Sequence, residues 1–179
     1  MSDKVYLDAN GVTRDSFLLA RQIYDSGFVP DIIIALWRGG TPIGIVVHEF
    51  LHYKGINCYH TVVKTSSYTG IAQHGEPIVE NIDYVLSRLN SQSNVLVVDD
   101  IFDSGHTAKI MKRIITRVTP NLKLATLYFK PLRNQTDFAP DYFVNETDSW
   151  LVFPHELVGL SPSEILEKDP YVHSLLGLS

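Results

Sequence analysis

The sequence predicts a doubly wound α/β fold with a mainly parallel sheet, and three observations lead to this prediction. The chain has 179 residues, 45% of them hydrophobic and 20% charged, so it can bury the core of one domain. Short apolar runs without polar alternation recur along it, as in strands that are covered on both faces. Helical patterns lie between those runs, and this alternation is typical of a parallel sheet with helices on both sides.

Four strands and four helices follow from these patterns. The strands are residues 32–36, 59–63, 95–98 and 124–129. The helices run from a Thr13 cap to near Gly27, from Pro42 to near Gly55, over residues 81–89 and over residues 104–118. The helices separate the strands, as crossover connections between parallel strands require.

A short tail follows the predicted domain. Ser161 and Glu164 have the spacing of a capping box, which predicts one short helix of unknown role. Residues 1–160 are predicted to be the domain and residues 161–179 a C-terminal helical tail.

Composition excludes several classes of function. The net charge is −5, with 15 Lys and Arg against 20 Asp and Glu, which argues against nucleic-acid binding as the main role. The single cysteine, Cys58, excludes an internal disulfide and agrees with a reducing compartment. No apolar stretch reaches the roughly 18 residues of a membrane span, and the first residues lack a signal-peptide core. We therefore expect a cytoplasmic protein that binds neither nucleic acid nor membrane.

The predicted sheet indicates where a ligand would bind. In open parallel sheets, ligands lie beyond the carboxyl ends of the strands. All four predicted strands end in polar or glycine-containing segments, and these segments are residues 37–40, 64–68, 99–107 and 130–131. We expect them to converge on one crevice.

The segment after the third strand has the features of a phosphate site. It is a loop of small residues that opens directly into a helix, whose first backbone N–H groups have no partner within the helix. These groups, the hydroxyls of Ser104 and Thr107, and the permissive Gly105 would make a cradle for a phosphomonoester.

Three acidic residues lie beside that cradle. Asp99 and Asp100 can accept hydrogen bonds from a vicinal diol or hold Mg²⁺. A phosphate site next to a diol or metal site describes a ribose 5-phosphate. The alternative is an ordinary strand–helix junction, but a cap alone would not need Asp99, Asp100 and Asp103 on one rim.

Residues 95–107 resemble the phosphoribosyl pyrophosphate motif of type I phosphoribosyltransferases. That motif is a hydrophobic strand, two acids, two apolar residues and then Asp-Ser/Thr-Gly-x-Thr, in which His106 takes the variable position. The resemblance covers residues 1–160 and implies the type I phosphoribosyltransferase fold with a small hood region. It also implies Mg²⁺ as cofactor and a homo-oligomer, either a dimer or a tetramer. The implied ligands of phosphoribosyl pyrophosphate are Arg38, Gly39, Asp99, Asp100, Ser104, Gly105, His106 and Thr107.

Two further loops take roles from the same resemblance. Residues 38–40 (Arg-Gly-Gly) match the loop that binds pyrophosphate, which in the family often has a strained peptide before the glycines. A tight turn with an exposed arginine is the alternative for that loop. Ser67 and Tyr68 begin a polar stretch long enough for a lid over the reacting sugar, although a plain surface loop fits the sequence as well.

The base-binding residues are assigned by resemblance to the short xanthine–guanine and archaeal-type enzymes. Lys130 would donate to the purine O6, Trp150 would stack on the base, and Leu151 would use its backbone carbonyl. Asp100 would bind Mg²⁺, and Glu156 would help to hold a second Mg²⁺. His155 stands where an aromatic residue is expected, which leaves the selectivity at the exocyclic group open.

Residues 48–52 match the zinc-protease pattern His-Glu-x-x-His. On this helix His48 and His52 point about 130–170° away from the centre of the apolar stripe, so we expect them to face solvent or a partner subunit. No downstream motif supplies a third ligand. We interpret the match as coincidental.

These features predict an enzyme that joins a 6-oxopurine to phosphoribosyl pyrophosphate, with Asp103 near purine N7 as the general base. The products would be a nucleoside 5′-monophosphate and pyrophosphate. One alternative is a phosphoribosyltransferase for another base, such as adenine, orotate or uracil. A second is a regulator that keeps the fold to sense nucleotides, against which the joint presence of Arg38, Asp103 and Lys130 argues.

Overall fold

The computed structural model describes residues 4–66 and 78–178 of the chain. Its strands are β1 (Lys4–Tyr6), β2 (Ile32–Trp37), β3 (Tyr59–Ser66), β4 (Ile78–Glu80), β5 (Val95–Phe102), β6 (Leu122–Phe129), β7 (Tyr142–Glu146) and β8 (Trp150–Val152). Its helices are α1 (Ala9–Asp25), α2 (Gly40–Tyr53), α3 (Ile82–Leu86), α4 (His106–Ile115), α5 (Pro162–Lys168) and α6 (Pro170–Leu175). Among these helices, none is both long and apolar enough to cross a membrane.

The main sheet confirms the predicted fold class. Within the described residues its strand order is β4-β3-β2-β5-β6-β7. Every neighbouring pair is parallel except β3 and β4. All four predicted strands are present, and β5 runs four residues past its predicted end, through Asp99 and Asp100 to Phe102.

Side chains alternate between the two faces of the sheet, so each central strand contributes to two cores. Val95 and Val97 of β5 pack in one core with residues of α3 and α4, whereas Leu96 and Val98 pack in the other with residues of α1 and α2. Helices therefore cover both faces, as in a doubly wound fold. Each fully buried aliphatic side chain contributes about 1.5–3 kcal/mol to such a core.

Gly44 brings α2 close to the sheet. A Cβ at this position would lie 2.7 Å from the Cβ of Ala35 in β2, which is closer than two side-chain carbons approach. The absence of a side chain lets the helix pack directly on the strand that precedes it. The loop between β2 and α2 is consequently held at the carboxyl edge of the sheet.

Several elements differ from the sequence-based expectation. α1 begins at Ala9, four residues before the predicted Thr13 cap, and α3 covers only part of the predicted residues 81–89. The tail has two helices where one was predicted. Asp169 separates them, because its side chain accepts from the backbone N–H groups of Tyr171 and Val172 at 2.9 and 3.1 Å and so caps a new helix.

The chain divides into two compact units, residues 10–148 and residues 4–9 with 149–178. In the second unit β1 pairs in parallel with β8, with Lys4 opposite Trp150. Glu164 closes the predicted capping box with Ser161 and accepts from Lys4 Nζ at 2.6 Å. These hydrogen bonds, the one from Lys4 first, lower the pKa of Glu164 to about 2.

Candidate active site

Three loops meet at the carboxyl edge of the main sheet. The strand registers place the end of β2 beside β5 and the end of β5 beside β6, with Ala35 opposite Val98 and Phe102 opposite Phe129. The backbone N–H of Lys130 donates to Phe102 O at 2.9 Å and continues this pairing into the loop. A cavity of about 240 Å³ opens here, lined mainly by residues 99–108. The predicted convergence of strand ends is present for these three loops.

The candidate phosphate-binding segment, residues 103–107, leads from β5 into α4. Gly105 is the N-cap of α4 with φ +78°, and Ser104 Oγ accepts from the backbone N–H of His106 at 3.4 Å. A Cβ on Gly105 would lie 2.7 Å from both the ring of Phe102 and the methyl group of Thr136, so glycine is required by space as well as by conformation. Ser104 Oγ lies 3.2 Å from His106 Nδ1. An anion at the start of α4 could bind the backbone N–H groups of the first turn, where it would compete with Ser104 Oγ for the N–H of His106.

The two adjacent acids lie at the end of β5. Oδ1 of Asp99 accepts from the backbone N–H of Asp100 at 3.0 Å. Burial raises the pKa of Asp99 well above its ordinary value, and the charge of Asp100 raises it further. A site that favours the neutral form of a carboxyl group when no cation is present favours binding of a cation when the group ionises.

The loop between β2 and α2 packs directly on these acids. A Cβ on Gly39 would overlap the carboxyl group of Asp100, and one on Gly40 would come within 2.9 Å of Asp99 Cα. The two glycines thus allow the backbone of this loop to lie against the acid pair. The peptide bond between Trp37 and Arg38 is cis, in the segment where the resemblance implied an unusual peptide.

Thr41, in the first turn of α2, was not identified from the sequence. Its Oγ1 is buried and has no hydrogen-bond partner among the described residues, while its backbone N–H donates to Arg38 O at 3.0 Å. The sequence could have indicated Thr41 as a candidate, because its hydroxyl directly follows Arg-Gly-Gly at the start of a helix. A buried hydroxyl left without a partner is costly, so a ligand that pairs with it gains free energy.

Asp103 lies between two cations. Its Oδ2 is 3.2 Å from Lys130 Nζ, and its Oδ1 is 2.7 Å from Arg133 Nε. Lys130 is only 4% exposed, and Arg133 was not identified from the sequence. Oδ1 is buried, and no N–H among the described residues points at it in hydrogen-bond geometry, so the attraction of Arg133 is one of charge.

The loop that carries Arg133 is fixed to the phosphate-binding segment. The backbone N–H of Gln135 donates to Ser104 O at 3.1 Å, and that of Arg133 donates to Lys130 O at 3.2 Å. Within the loop, the side chains of Asn134 and Thr136 hydrogen-bond to each other and to Phe138 O. Residues 131–138 are thereby held beside the 5-phosphate candidate site.

The remaining predicted site residues belong to the second compact unit or to residues that the structure does not describe. Trp150 is 53% exposed on β8, next to the partly buried Leu151, and both belong to the second compact unit. In the same unit Glu156 Oε2 accepts from the backbone N–H of Phe153 at 2.8 Å. Ser67 and Tyr68, the predicted lid residues, lie outside the described residues.

The histidines of the protease-like pattern lie beside a third histidine. The ring of His48 is tilted against that of His60 of β3, with 4.0 Å between centroids, and is stacked with that of His52 at 5.9 Å. His48 was expected to face solvent or a partner subunit; its side chain is partly buried, with 19% exposed, because it packs on His60 of β3. Across residues 4–66 and 78–178, no three His, Cys, Asp or Glu side chains are grouped so that they could hold a metal ion.

Comparison with known proteins agrees with this geometry. Residues 6–158 match the family model described as "Phosphoribosyl transferase domain". The chain is 33% identical over 146 residues to a xanthine-guanine phosphoribosyltransferase of Desulfotalea psychrophila, covering 79% of each protein. It is 26% identical over 150 residues to a hypoxanthine-guanine phosphoribosyltransferase of Lactococcus lactis, covering 79% of this chain and 73% of that protein.

A solved structure shows the same likeness. The fold superposes on the crystal structure of a purine phosphoribosyltransferase from Pyrococcus horikoshii with a TM-score of 0.70 and 27% identity. The match covers 88% of this chain and 97% of that one. The strand-end geometry, the family match and these relatives agree, and the chain belongs to the phosphoribosyl transferase family as an enzyme of type I that resembles the purine phosphoribosyltransferases.

Proposed function

We propose that this enzyme transfers the phosphoribosyl group from phosphoribosyl pyrophosphate to a 6-oxopurine, with Mg²⁺ as cofactor. Hypoxanthine, guanine and xanthine are the candidate bases. The observation that carries the proposal is the pair formed by the buried Lys130 ammonium and the Asp103 carboxylate, 3.2 Å apart beside the phosphate-binding segment. The curated relatives, named for xanthine, guanine and hypoxanthine, support the same class of base.

Lys130 provides the selectivity for an oxo group. An ammonium donates hydrogen bonds and accepts none, so it pairs with a carbonyl oxygen at purine C6 and not with the 6-amino group of adenine. Because Lys130 is buried, a base that leaves its N–H groups unpaired is rejected more strongly than at an exposed site. The site therefore favours 6-oxopurines.

Asp103 is the proposed general base. Its carboxylate lines the cavity and is 35% exposed, which suits it to take up the N7 proton of a purine. As N9 of the purine bonds to C1 of the sugar, the C1–O bond breaks and its electron pair leaves with pyrophosphate. The N7 proton passes to Asp103, which restores the neutral purine ring in the product.

The sugar phosphate takes the remaining groups of the cavity. The backbone N–H groups at residues 104–107, together with the hydroxyls of Ser104 and Thr107, would hold the 5-phosphate. Asp99 and Asp100 would accept from the ribose hydroxyls. Arg38 and the N–H groups of the adjoining glycine loop would hold the pyrophosphate, with the unpaired Thr41 hydroxyl as a further donor.

The acid pair also fits the proposed cofactor. Two carboxyl groups at one strand end supply the hard oxygen ligands that Mg²⁺ prefers. A bound Mg²⁺ supplies charge that stabilises the leaving pyrophosphate. Asp100 is the proposed ligand, and Glu156 is retained as the proposed ligand of a second ion.

A base panel tests the proposal. The purified protein is incubated with Mg²⁺, phosphoribosyl pyrophosphate and one base at a time, and nucleotide formation is followed by chromatography. We expect turnover of at least one of hypoxanthine, guanine and xanthine, and little or none of adenine, uracil or orotate. Turnover of only one of the latter three would replace the 6-oxopurine assignment, and binding of nucleotide without any turnover would favour a regulator.

A further inference from the structure

We propose that Arg133 is a positioning residue that holds the Asp103 carboxylate in the orientation needed for proton transfer. The inference rests on the proposed role of Asp103 as the general base. It adds a residue from the loop of residues 131–138, which the sequence motifs do not include. Two observations support it: Asp103 forms two ion pairs, and hydrogen bonds hold this loop beside Asp103. In the proposed complex, moreover, Lys130 would donate to the base.

The two ion pairs fix both oxygens of Asp103. Lys130 Nζ lies 3.2 Å from Oδ2 and Arg133 Nε lies 2.7 Å from Oδ1, so each oxygen faces a different cation. If the carboxylate rotated about its Cβ–Cγ bond, each oxygen would move away from its cation, which costs Coulomb energy in this partly desolvated site. One cation alone would leave the other oxygen free to turn.

Base binding makes Arg133 the more important of the two cations. In the proposed complex the Lys130 ammonium donates to the 6-oxo group, which weakens its attraction to Asp103. Arg133 then remains as the charge that holds the buried Oδ1, while Oδ2, which Lys130 has released, accepts from N7–H. A carboxylate oxygen has two lone pairs, so Oδ2 has the acceptor capacity that the base needs.

The loop delivers Arg133 through its backbone. Gln135 N–H donates to Ser104 O at 3.1 Å, next in sequence to Asp103, and Thr136 packs where a Cβ on Gly105 would lie. The ring of Phe138, at the end of this loop, has Lys112 Nζ of α4 4.2 Å from its centroid. These contacts fix the backbone from which the Arg133 side chain reaches Asp103.

Arg133→Ala is the first variant, tested with saturating oxopurine and phosphoribosyl pyrophosphate. We expect kcat to fall about 10-fold because the base is less well oriented, with KM for phosphoribosyl pyrophosphate changed less than about 2-fold. Arg133→Lys keeps the charge and should recover most of kcat. An unchanged kcat in Arg133→Ala would overturn the inference, and a raised KM for phosphoribosyl pyrophosphate with normal kcat would assign Arg133 to the sugar diphosphate instead.

A double-mutant cycle tests whether Arg133 acts through Asp103. In the Asp103→Asn background, Arg133→Ala should cause no further loss of kcat, because the group that it positions is gone. A full further loss in the double variant would show that Arg133 acts independently, which overturns the inference and leaves the base assignment intact. Near-normal kcat in Asp103→Asn alone would instead remove the base from the proposed function.

Arg21 provides a matched control. It forms an exposed ion pair with Asp25 on α1, with Arg21 Nε 2.5 Å from Oδ2, and lies outside the candidate site. Arg21→Ala should leave kcat and KM unchanged, since a surface ion pair contributes little to stability. Thermal unfolding of all variants is measured in parallel. A lower melting temperature in Arg133→Ala together with normal kcat would identify a purely structural residue and overturn the inference.

Discussion

The Lys130 ammonium lies 3.2 Å from Oδ2 of Asp103, where the ends of β5 and β6 meet. A buried lysine is stable as a cation only when an opposite charge or hydrogen bonds compensate it, and Asp103 does so in the absence of a base. A donor beside an acceptor is also what the O6 and N7–H edge of an oxopurine requires. The same two side chains thus stabilise each other in the free protein and can recognise the base.

Asp103→Asn tests the base assignment directly. Asparagine has nearly the same size but cannot take up the N7 proton, so we expect kcat to fall by about 10²-fold or more. Binding of phosphoribosyl pyrophosphate, measured by calorimetry, should change little because the phosphate-binding segment is intact. Near-normal turnover would exclude Asp103 from catalysis.

Gly39→Ala tests the contact between the glycine loop and the acid pair. The added methyl group would overlap the Asp100 carboxyl group and displace it, so we expect KM for phosphoribosyl pyrophosphate to rise about 10-fold or more. Gly55→Ala is the control. Gly55 has φ +84° and open space around its Cβ position, so this variant should lose about 1 kcal/mol of stability without a change in KM.

Much of this site could be predicted because its residues are contiguous. Asp99 to Thr107 follow one another in the sequence, and the order of strand, acids, loop and helix is visible without a structure. Arg38 and Lys130 were identified because parallel strands end at one edge of a sheet. Arg133 and Thr41, which we propose as further site residues, were missed because loops that fold back on the site bring them there, and this has no periodic signal.

The elements that were missed are short or depend on partners distant in sequence. β4 has three residues, and β7 is an edge strand whose residues are only half buried, so neither shows a continuous apolar run. His48 was expected to face solvent because only the pattern of its own helix was considered. The residue that covers it, His60, lies on β3 and could not be placed without the fold.

His48 is expected to make stability depend on pH. Burial lowers the pKa of His48 first, and His60 on β3 lowers it further. On its own helix, Glu49 raises this pKa and His52 lowers it. As pH falls below about 6.5 the unfolded chain takes up this proton before the folded protein does, so stability declines with falling pH. In His48→Gln the urea midpoint should decline less between pH 7 and pH 5. Activity at pH 7 should be unchanged, and stoichiometric zinc in the native protein but not in the variant would contradict our interpretation of residues 48–52.

Glu164→Gln tests a second loss of stability with falling pH, which occurs at lower pH and in the second compact unit. Its pKa is lowered to about 2 from an ordinary value of 4.5, with the hydrogen bond from Lys4 as the main cause. Stability from this group is complete above about pH 4.5 and is lost as pH falls toward 2. The urea midpoint of Glu164→Gln should be lower than that of the native protein at pH 7, and the difference should shrink at pH 3. Glu167→Gln, on the same helix, is the control and should show no such convergence.

Lys130 determines the class of base in the proposed function. Removing a charged donor to O6 forfeits about 1.5–3 kcal/mol, so Lys130→Ala should raise KM for oxopurines about 10- to 100-fold, with less effect on phosphoribosyl pyrophosphate. Lys130→Met retains the volume of the side chain and should raise KM for oxopurines as Lys130→Ala does. Thermal unfolding checks that both variants are folded.

Trp150→Ala separates recognition of the ring from recognition of its substituents. Stacking is insensitive to the exocyclic group, so this variant should weaken every accepted purine to a similar degree. Lys130→Ala should reduce the preference for 6-oxopurines over adenine, whereas Trp150→Ala should leave that preference unchanged. The measurement is kcat/KM for guanine, hypoxanthine, xanthine and adenine in each variant. If adenine is the best substrate of the native protein, Lys130 does not bind a 6-oxo group, and the 6-oxopurine proposal is wrong.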